Sequence, residues 1–523
     1  MHLLLETPRA FITSVIDRVS GANLVSQSLF YHLIESNKAG ENSVLSDCTP
    51  DEFAAFQTRH PDINLSLISY HGIHRSFDHE NHPDLAFVSG LDVDRLLAWR
   101  NRLEIRMPVV GLLHSLWSRT QYALLNEFFE RACPFDHLIC PSVFAKAMAE
   151  QAIELSHKSS LICLEMMPFG IDLKRFCPSS DVKALRQKHQ IPEDRIVLLH
   201  LSRLNPYTKT DIVPTIRNIE FLVKKYPKIL LLIVGENQAP EYIAQVQTYI
   251  LKHNLEAHVQ IRTNIEHTAV EEWYQLSDIF VSLSDYPETF GLTVVEAMAC
   301  GMPVVISDIA AYQTLIDDGE QGFKIPTIGV ADFTIADAFF NTSSVADFGD
   351  IMIQSVAVDC EAFRAKISFL LDNEAIRDHM KNKGLERVAS HYSSEIMEAR
   401  YIAHFTRLIA EAKAMPLVSF PKPVFEHVAT LYQAGLTTVL NDNHRFAISI
   451  NGQALLASRD PFFSFEKHRE LYYVMKPIVH HLRSAPLSRS QLAEAIPNCD
   501  LDILTMSLLY LIKHDILTFV SED

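Results

Sequence analysis

Short apolar runs alternate with helical patterns along the first third of the chain. The apolar runs are typical of buried strands, and the segments between them repeat apolar residues at helical spacing. Strands are predicted at residues 11–15, 43–45, 65–69, 85–88, 109–113, 137–140 and 161–166, and helices at 24–35, 51–58 and 142–155. Strands that alternate with helices form parallel sheets covered on both faces. The pattern therefore predicts an α/β domain whose ligands bind beyond the carboxyl ends of its strands.

The same alternation returns after residue 178. Strands are predicted at 196–201, 229–234, 258–262 and 279–283, and helices at 271–276, 292–299, 361–371, 375–391 and 393–413. Between Lys324 and Arg364 lies a stretch that contains no Lys or Arg and is longer than usual connections. We expect it to be an insertion that packs on the edge of this second half or on a neighbouring subunit.

Residues 282–305 combine a buried strand, a turn and a helix with two carboxylates. Gly291 allows a ligand to approach the backbone where the helix exposes its unpaired N–H groups, a ready site for an anion. Glu288 precedes the helix and Glu296 lies within it, at most about 12 Å away at helical rise. Carboxylates so far apart cannot share one proton transfer. They are suited to hold the two ends of an elongated polyhydroxyl ligand around a phosphate, which is the shape of a nucleotide sugar.

Other candidate residues lie where predicted strands end. Arg203 and Lys209 share a loop after the strand at 196–201, where two cations can converge on one diphosphate. Gly235 and Glu236 end the next strand, and His114 follows the strand at 109–113.

Two further candidates have equally simple alternatives. Gly21 lies before the predicted helix at 24–35, where it serves either a phosphate-binding loop or an ordinary helix start. The spacing of His71 and His74 suits a metal, but no third ligand is evident in the sequence.

Residues 288–303, Glu-Thr-Phe-Gly-Leu-Thr-Val-Val-Glu-Ala-Met-Ala-Cys-Gly-Met-Pro, resemble the Glu-x7-Glu motif of family-4-type retaining glycosyltransferases with the GT-B fold. The resemblance implies that Glu288 contacts the hydroxyls of the donor sugar and that Glu296 contacts the ribose. The backbone of Thr289, Phe290, Gly291 and Leu292 would then face the sugar and the diphosphate.

The resemblance extends to other positions of the chain. It implies that Arg203 and Lys209, which match an Arg-x5-Lys pair, neutralise the departing diphosphate, and that Gly235 and Glu236 lie behind the nucleotide. His114 would be the active-site histidine.

In the first half the match is looser. Gly21 alone matches a Gly-Gly loop near the diphosphate, and the sequence around Gly170 resembles the linker between lobes, with Phe169 in place of the usual Asn.

The implied architecture is two Rossmann-like parallel-sheet lobes that face a cleft. The first lobe would span 1–177 on the acceptor side and the second 178–378 with the donor site, followed by helices at 379–415 that cross back. Residues 416–423 contain three prolines and mark a boundary. Beyond it we predict a helix at 427–434, a hairpin (445–450 with 454–457), helices at 467–483, 488–495 and 500–514, and a strand at 516–520. This succession resembles a small α+β winged helix-turn-helix domain.

Composition limits the classes of partner. The 523 residues carry a net charge of −18, which argues against nucleic acid as the main partner, because phosphate binding needs a basic surface. Eight cysteines without a Cys-x-x-Cys pair are typical of reduced cytoplasmic proteins. No apolar run is long enough to span a membrane.

These observations predict a retaining glycosyltransferase that moves a sugar from a nucleotide diphosphate sugar to an unidentified acceptor: a glycan, a lipid-linked molecule, a small molecule or a protein. The resemblance implies no metal and no cofactor other than the donor itself, and whether the chain forms homo-oligomers stays open. Two alternatives stay open: a nucleotide-sugar epimerase or glycosyl phosphorylase of the same fold, and a DNA-binding regulator that senses sugar nucleotides.

Overall fold

A parallel sheet of seven strands forms the first lobe. Its spatial order is β3-β2-β1-β4-β5-β6-β7, and every neighbouring pair is parallel. The strands are β1 His2–Glu6, β2 Glu41–Leu45, β3 Ser66–Ile68, β4 Leu85–Val88, β5 Val109–Leu112, β6 His137–Cys140 and β7 Cys163–Met166. The central strands β4, β5 and β6 are buried at every residue, as expected of a parallel sheet covered on both faces.

This computed structural model describes residues 1–7, 11–12, 21–37, 40–70, 73–116, 118–156, 162–330, 352–416, 419–421, 444–456, 469–497, 499–513 and 516–520. The chain divides into two compact units, Met1–Pro423 and Val424–Asp523.

Helices connect the strands of the first sheet. They are α1 Gly21–Ser36, α2 Pro50–Arg59, α3 Ile73–Ser76, α4 Asp94–Arg102, α5 Arg119–Arg131 and α6 Val143–Leu155. Local capping fixes where several of them begin. Thr49 and Ser118 each form a capping box with the residue three positions on, and the hydroxyl of Ser142 accepts from the amide of Ala145.

The second lobe has a six-stranded sheet, ordered β10-β9-β8-β11-β12-β13 and parallel throughout. Its strands are β8 Ile196–Leu201, β9 Ile229–Gly235, β10 Val259–Thr263, β11 Ile279–Ser282, β12 Val304–Ser307 and β13 Gly322–Ile325. Its helices are α7 Val182–Lys188, α8 Val213–Leu222, α9 Pro240–Lys252, α10 Val270–Gln275, α11 Leu292–Ala299 and α12 Tyr312–Leu315, and a 3-10 turn covers His267–Ala269.

Three further helices follow and return the chain to the first lobe: α13 Cys360–Asp372, α14 Glu374–His391 and α15 Ser394–Ala414. Helix α15 packs against α1, and Lys413 near its end forms an ion pair with Asp84 at 2.8 Å. At its beginning, the linker between the lobes is bound tightly: the amide of Ile171 donates to the carbonyl of Tyr392, and the amide of Ser394 donates to that of Ile171. A Cβ on Gly170 would lie 2.8 Å from the Cα of Ser394, so the linker needs glycine there.

The first strand differs from the prediction. The strand predicted at 11–15 is wrong, because Phe11 and Ile12 are helical and the first strand is β1, five residues at the start of the chain. Both segments are short apolar runs, and such a run has no periodicity that separates a buried strand from a buried helix.

Part of the acidic insertion forms an antiparallel pair, β14 Thr327–Gly329 with β15 Val356–Val358. Residues 331–351 of the insertion lie outside the described residues.

Among its described residues, the second unit has a three-stranded antiparallel sheet and four helices; the helix predicted at 427–434 lies outside them. The sheet is ordered β17-β16-β18 and consists of β16 Arg445–Ile448, β17 Leu487–Ser488 and β18 Leu517–Val520. The helices are α16 Ile450–Leu456, α17 Arg469–Leu482, α18 Arg489–Ala495 and α19 Leu501–Lys513. Their shared apolar core includes Phe446, Ile478, Leu504 and Leu508.

The hairpin predicted after residue 445 is wrong. Asn451 and Gly452 lie within α16, and the hydroxyl of Ser449 accepts from the amide of Gly452 at 2.8 Å. A Cβ on Gly452 would lie 2.1 Å from the carbonyl oxygen of Ile516. Gly452 therefore serves close packing of this helix, and the partner of β16 is β18.

Among the described helices, none has the length and apolar character needed to cross a lipid bilayer.

Candidate active site

The carboxyl ends of the two parallel sheets lie next to each other. His114 follows β5 of the first sheet, and Thr289 follows β11 of the second. The hydroxyl of Thr289 donates a hydrogen bond to the carbonyl oxygen of His114. Beside this contact, the ring of Phe169 from the linker packs against both His114 and Phe290, with centroid distances of 5.8 and 5.1 Å. The predicted residues of both lobes therefore meet at one place.

His114 is held in one orientation from behind. Its Nε2 lies 2.8 Å from the carbonyl oxygen of Ser89 and 3.0 Å from the hydroxyl of Ser26 on α1. Because the Ser89 carbonyl can only accept, Nε2 carries the proton and Nδ1 is left as an acceptor. Burial lowers the pKa of His114, so the imidazole is neutral at physiological pH. A neutral, fixed imidazole is suited to accept a hydrogen bond from a substrate hydroxyl.

Arg203, Lys209 and Glu288 surround one aromatic ring. Lys209 and Glu288 form an ion pair, with only 20% and 16% of their side chains exposed. The ammonium of Lys209 lies 5.6 Å from the centre of the Tyr286 ring. Burial raises the pKa of Tyr286; the charge of Glu288 reinforces that shift and the charge of Arg203 opposes it. The loop after β8 and the turn after β11 thus bring Lys209 to the predicted sugar-binding carboxylate, and the same loop carries Arg203.

Gly235 and Glu236 lie beside this cluster. A Cβ on Gly235 would lie 1.7 Å from the carbonyl oxygen of Ser202, so only glycine lets β9 pass this close to the end of β8. The carbonyl of Glu236 accepts from the amide of Leu204, and its carboxylate accepts from the side chain of Gln238 at 2.7 Å. The pair therefore fixes the loop that carries Arg203.

Gly291 starts α11 in the left-handed region, with φ 109°. A Cβ there would lie 2.6 Å from Tyr312 and 2.8 Å from Leu315. Both the φ angle and the close approach exclude other residues without strain. Leu292, the first residue of α11, is partly buried, and the helix presents its amino end next to Glu288 and Thr289.

Glu296 occupies a different environment from Glu288. The hydroxyl of Tyr274 on α10 donates to its carboxylate at 2.6 Å. Burial raises the pKa of Glu296, and the hydrogen bond from Tyr274 and the nearby Arg175 oppose that shift. Arg175 is itself paired with Glu271 at 3.0 Å. The two glutamates therefore face separate sets of neighbours, as an elongated ligand requires.

Some residues that shape the site were not predicted. Tyr286 lies within the motif, but only the structure shows its ring beneath Lys209. Ser26 could not be found from sequence, because its contact with His114 joins α1 to the end of β5. Asp285 accepts from Thr210 at 2.9 Å, and burial raises its pKa to about 7.

Gly21 is the first residue of α1, which fits the alternative of an ordinary helix start. His71 lies outside the described residues, and His74 belongs to the short helix α3.

The structure is similar to solved proteins with two lobes of the GT-B type. Sucrose-phosphate synthase from Thermosynechococcus elongatus shares 18% of its sequence with this chain at a TM-score of 0.55, over 78% of this chain and 99% of that one. The Anabaena protein HepE, solved in complex with UDP and glucose, shares 16% at a TM-score of 0.53, over 78% of this chain and 100% of that one. These likenesses show the fold.

Sequence similarity to known proteins covers part of the chain. A D-inositol 3-phosphate glycosyltransferase of Catenulispora acidiphila is 29% identical over 196 residues, which are 36% of this chain and 45% of the relative. The chain thus spans less than half the length of this curated relative. Residues 181–334, which include Arg203, Lys209, Glu288 and Glu296, match the model of the family described as glycosyl transferases group 1.

Proposed function

We propose that this protein is a retaining glycosyltransferase that uses a nucleotide diphosphate sugar as donor. The observation that carries the proposal is the pairing of Lys209 with Glu288 beside Tyr286, at the carboxyl edge of the second sheet, next to the amino end of α11 and on the loop that also carries Arg203. Two cations and a helix amino end suit a diphosphate, and a carboxylate beside them suits sugar hydroxyls.

The ion pair between Lys209 and Glu288 indicates how the site responds to its donor. The ammonium of Lys209 neutralises the carboxylate of Glu288 in this structure. A diphosphate competes for the ammonium, and Glu288 is then released to accept hydrogen bonds from the sugar. The carboxylate of Glu288 therefore becomes available to the sugar only after the diphosphate has bound.

In the proposed reaction the acceptor hydroxyl attacks the anomeric carbon on the face from which the diphosphate leaves. The bond between that carbon and the diphosphate oxygen breaks, and the acceptor proton passes to the departing diphosphate. Arg203 and Lys209 stabilise the charge that develops on the leaving group. His114, neutral and fixed by Ser89, positions the sugar.

The names of similar proteins support this proposal. The listed relatives include glycosyltransferases that act on D-inositol 3-phosphate and an alpha-monoglucosyldiacylglycerol synthase. The complex of HepE with UDP and glucose favours UDP among the nucleotides to try first. We further propose a cytoplasmic location and a winged-helix-like form for the second unit.

The proposal is tested by binding and by turnover. Thermal shift with UDP, GDP and ADP should identify one stabilising nucleotide, and donor hydrolysis with the matching sugar nucleotides should release that diphosphate. NMR of the first-formed product should show the anomeric configuration of the donor. Release of a sugar phosphate or an epimerised donor would instead favour the phosphorylase or epimerase. Failure of all three nucleotides to bind would contradict the proposal.

A further inference from the structure

His137, Glu165 and His404 form a cluster that the proposed reaction does not use. One potential ligand atom from each of the three lies within 4.8 Å of the other two. His137 is the first residue of β6, and Glu165 lies in the neighbouring strand β7. In the parallel register His137 pairs with Cys163 and Ile139 with Glu165, so these side chains share one face of the sheet. Helix α15 covers that face with His404.

The cluster is separate from the candidate active site. Ligands of the proposed reaction lie beyond the carboxyl ends of the strands, whereas His137 stands at the amino end of β6. The three residues come from two strands of the first lobe and from the helix that returns to it after the second lobe.

Two imidazole nitrogens of the cluster are buried without a partner in the described structure. They are Nδ1 of His137 and Nε2 of His404, on side chains in residues that are 5% and 6% exposed. The two rings lie 5.0 Å apart. A buried imidazole nitrogen that makes no hydrogen bond has lost its solvation without compensation, which costs about 1–3 kcal/mol. The guanidinium of Arg407 can only donate, so Nδ1 of His404 is its acceptor and Nε2 of His404 carries the proton. Nδ1 of His137 is therefore the unpartnered nitrogen that can bind an additional group.

A cation already lies beside the carboxylate. One guanidinium nitrogen of Arg407 lies 3.2 Å from Glu165 and 2.9 Å from Nδ1 of His404. The Arg407 side chain is 53% exposed and also approaches Glu411 at 3.9 Å. It can therefore turn toward Glu411 and the solvent, which leaves Glu165 and Nδ1 of His404 to another cation.

We propose that His137, Glu165 and His404 bind a zinc ion that fastens α15 to β6 and β7. Two neutral imidazoles and a carboxylate are ligands that zinc prefers, and water completes the four-coordinate geometry. Tetrahedral ligands at zinc distances stand roughly 3.4 Å apart. The ligand atoms lie up to 4.8 Å apart, with Nδ1 of His404 and Glu165 at 4.0 Å, so inward movement of the side chains by up to about 1.4 Å closes the site.

Zinc at this place has a structural consequence. Helix α15 is the last element of the first unit before residue 416, and its polar contacts with the first lobe include the Lys413–Asp84 pair and the Arg407–Glu165 pair. The ligands from α15 and from the sheet come together only in the folded chain, so the metal binds the folded state and not the unfolded one. Zinc should therefore raise the thermal stability of the chain through linkage between binding and folding.

The test uses the full chain, first stripped with EDTA and then given zinc chloride. We expect one equivalent of zinc to be retained after dialysis, and the melting temperature to rise with zinc. Glu165→Gln and His404→Gln should each weaken zinc binding by roughly tenfold or more. His253→Gln is the matched control, because His253 also pairs with a glutamate, Glu220 at 3.0 Å, but has no second histidine beside it.

Arg407→Gln separates this proposal from a purely structural role of the cluster. If Arg407 competes with zinc, its loss should strengthen zinc binding several-fold. If Arg407 only supports the fold, the same substitution should weaken zinc binding. Cobalt substituted for zinc should give the weak visible bands of nitrogen and oxygen ligation, unchanged in Cys163→Ser. If the wild-type chain retains no zinc, or if Glu165→Gln and His253→Gln bind it equally well, the proposal is wrong.

Discussion

The hydroxyl of Thr289 donates to the main-chain oxygen of His114, and this hydrogen bond joins the turn after β11 to the end of β5. It links the lobe that carries Arg203 and Lys209 to the lobe that carries the histidine. Because Thr289 directly follows Glu288, the bond also fixes the turn on which the carboxylate lies.

We expect Thr289→Val to lower kcat/KM for donor hydrolysis by roughly 2–10-fold, since one hydrogen bond contributes about 0.5–1.5 kcal/mol. Valine has the same shape as threonine but cannot donate. Thr289→Ser keeps the donor and should retain most of the activity. Equal kinetics in Thr289→Val and the wild type would show that the bond does not contribute to the reaction.

Arg203 and Lys209 should each contribute to binding of the free nucleoside diphosphate. Replacing either with Ala should weaken that binding by about 1–3 kcal/mol, the range of a charge-assisted hydrogen bond. Calorimetry with the preferred nucleotide measures the change. Lys188→Ala is the control, because Lys188 forms an exposed ion pair with Glu272 in the same lobe. Unchanged affinity in both variants would remove these residues from the diphosphate site.

Glu288 and Glu296 should have different effects on nucleotide and sugar. Glu288→Gln removes the partner of Lys209, so free diphosphate should bind as well as before or more tightly, while the preference for the sugar nucleotide declines. Glu296→Gln should weaken binding of the free nucleotide, because Glu296 is expected to hold the ribose. Tyr274→Phe, which removes the donor to Glu296, should have the same effect in smaller measure. Parallel loss of nucleotide binding in Glu288→Gln and Glu296→Gln would contradict this division.

Glu6, at the carboxyl end of β1, should make stability depend on pH. Burial raises the pKa of Glu6 to about 7, against an ordinary value of 4.5, although the Tyr70 hydroxyl donates to its carboxylate. As the pH rises, the unfolded chain therefore loses the Glu6 proton before the folded state does, and the retained proton contributes to stability. This contribution is fully present below pH 4.5, declines as the pH rises, and is lost above pH 7.

The lost contribution amounts to at most roughly 3 kcal/mol for the shift of Glu6. Glu6→Gln should remove this dependence and leave the variant more stable than the wild type at pH 8, with little difference at pH 5. Thermal unfolding of both proteins at the two pH values is the measurement. A wild-type advantage at pH 8 would show that the ionised carboxylate is instead well satisfied in the fold.

The sequence predicts best what periodicity and local spacing determine. Strands β6 and β8 and helix α11 begin and end where their apolar patterns do. The six-residue separation of Arg203 and Lys209 on one loop predicts that both reach one ligand, and this stays a prediction. Where two readings of a short apolar run compete, as at 11–15 and β1, the long-range pairing of β1 with β2 and β4 decides, and no local signal reports it.

Contacts between distant elements could not be predicted from the sequence. The ion pair of Lys209 with Glu288 requires β8 and β11 to be neighbours in the sheet, which depends on a crossover order. The cluster of His137, Glu165 and His404 requires α15 to return to the first sheet. In each case the sequence around the residue carries no local signal of its role, and only the topology of the fold brings it to its partners.

The second unit should recruit the acceptor or join subunits, and should not bind DNA. From residue 417 to 523 the chain has nine Lys or Arg against eleven Asp or Glu, a poor composition for phosphate contacts. The amino end of α19, the helix that would enter a groove, is already occupied, because Asp500 accepts from the amides of Asp502 and Ile503 at 2.8 and 3.1 Å. The same helix exposes apolar side chains, with Met506 at 52% and Leu509 at 44%, which suits a protein or acceptor surface.

Ending the chain after Pro423 tests this prediction, since the structure divides between Pro423 and Val424. The second unit has its own apolar core, so its removal should leave donor hydrolysis and the melting of the first unit intact. If the second unit recruits the acceptor or joins subunits, the truncated chain should lose acceptor transfer or sediment at a lower mass than the full chain. Loss of hydrolysis together with a lower melting temperature would mean that the unit only supports the catalytic lobes. The prediction would be overturned if the full chain bound DNA in a salt-sensitive, sequence-selective way and the truncated chain did not. Such binding would contradict the expectation drawn from the capped end of α19 and the net acidic charge.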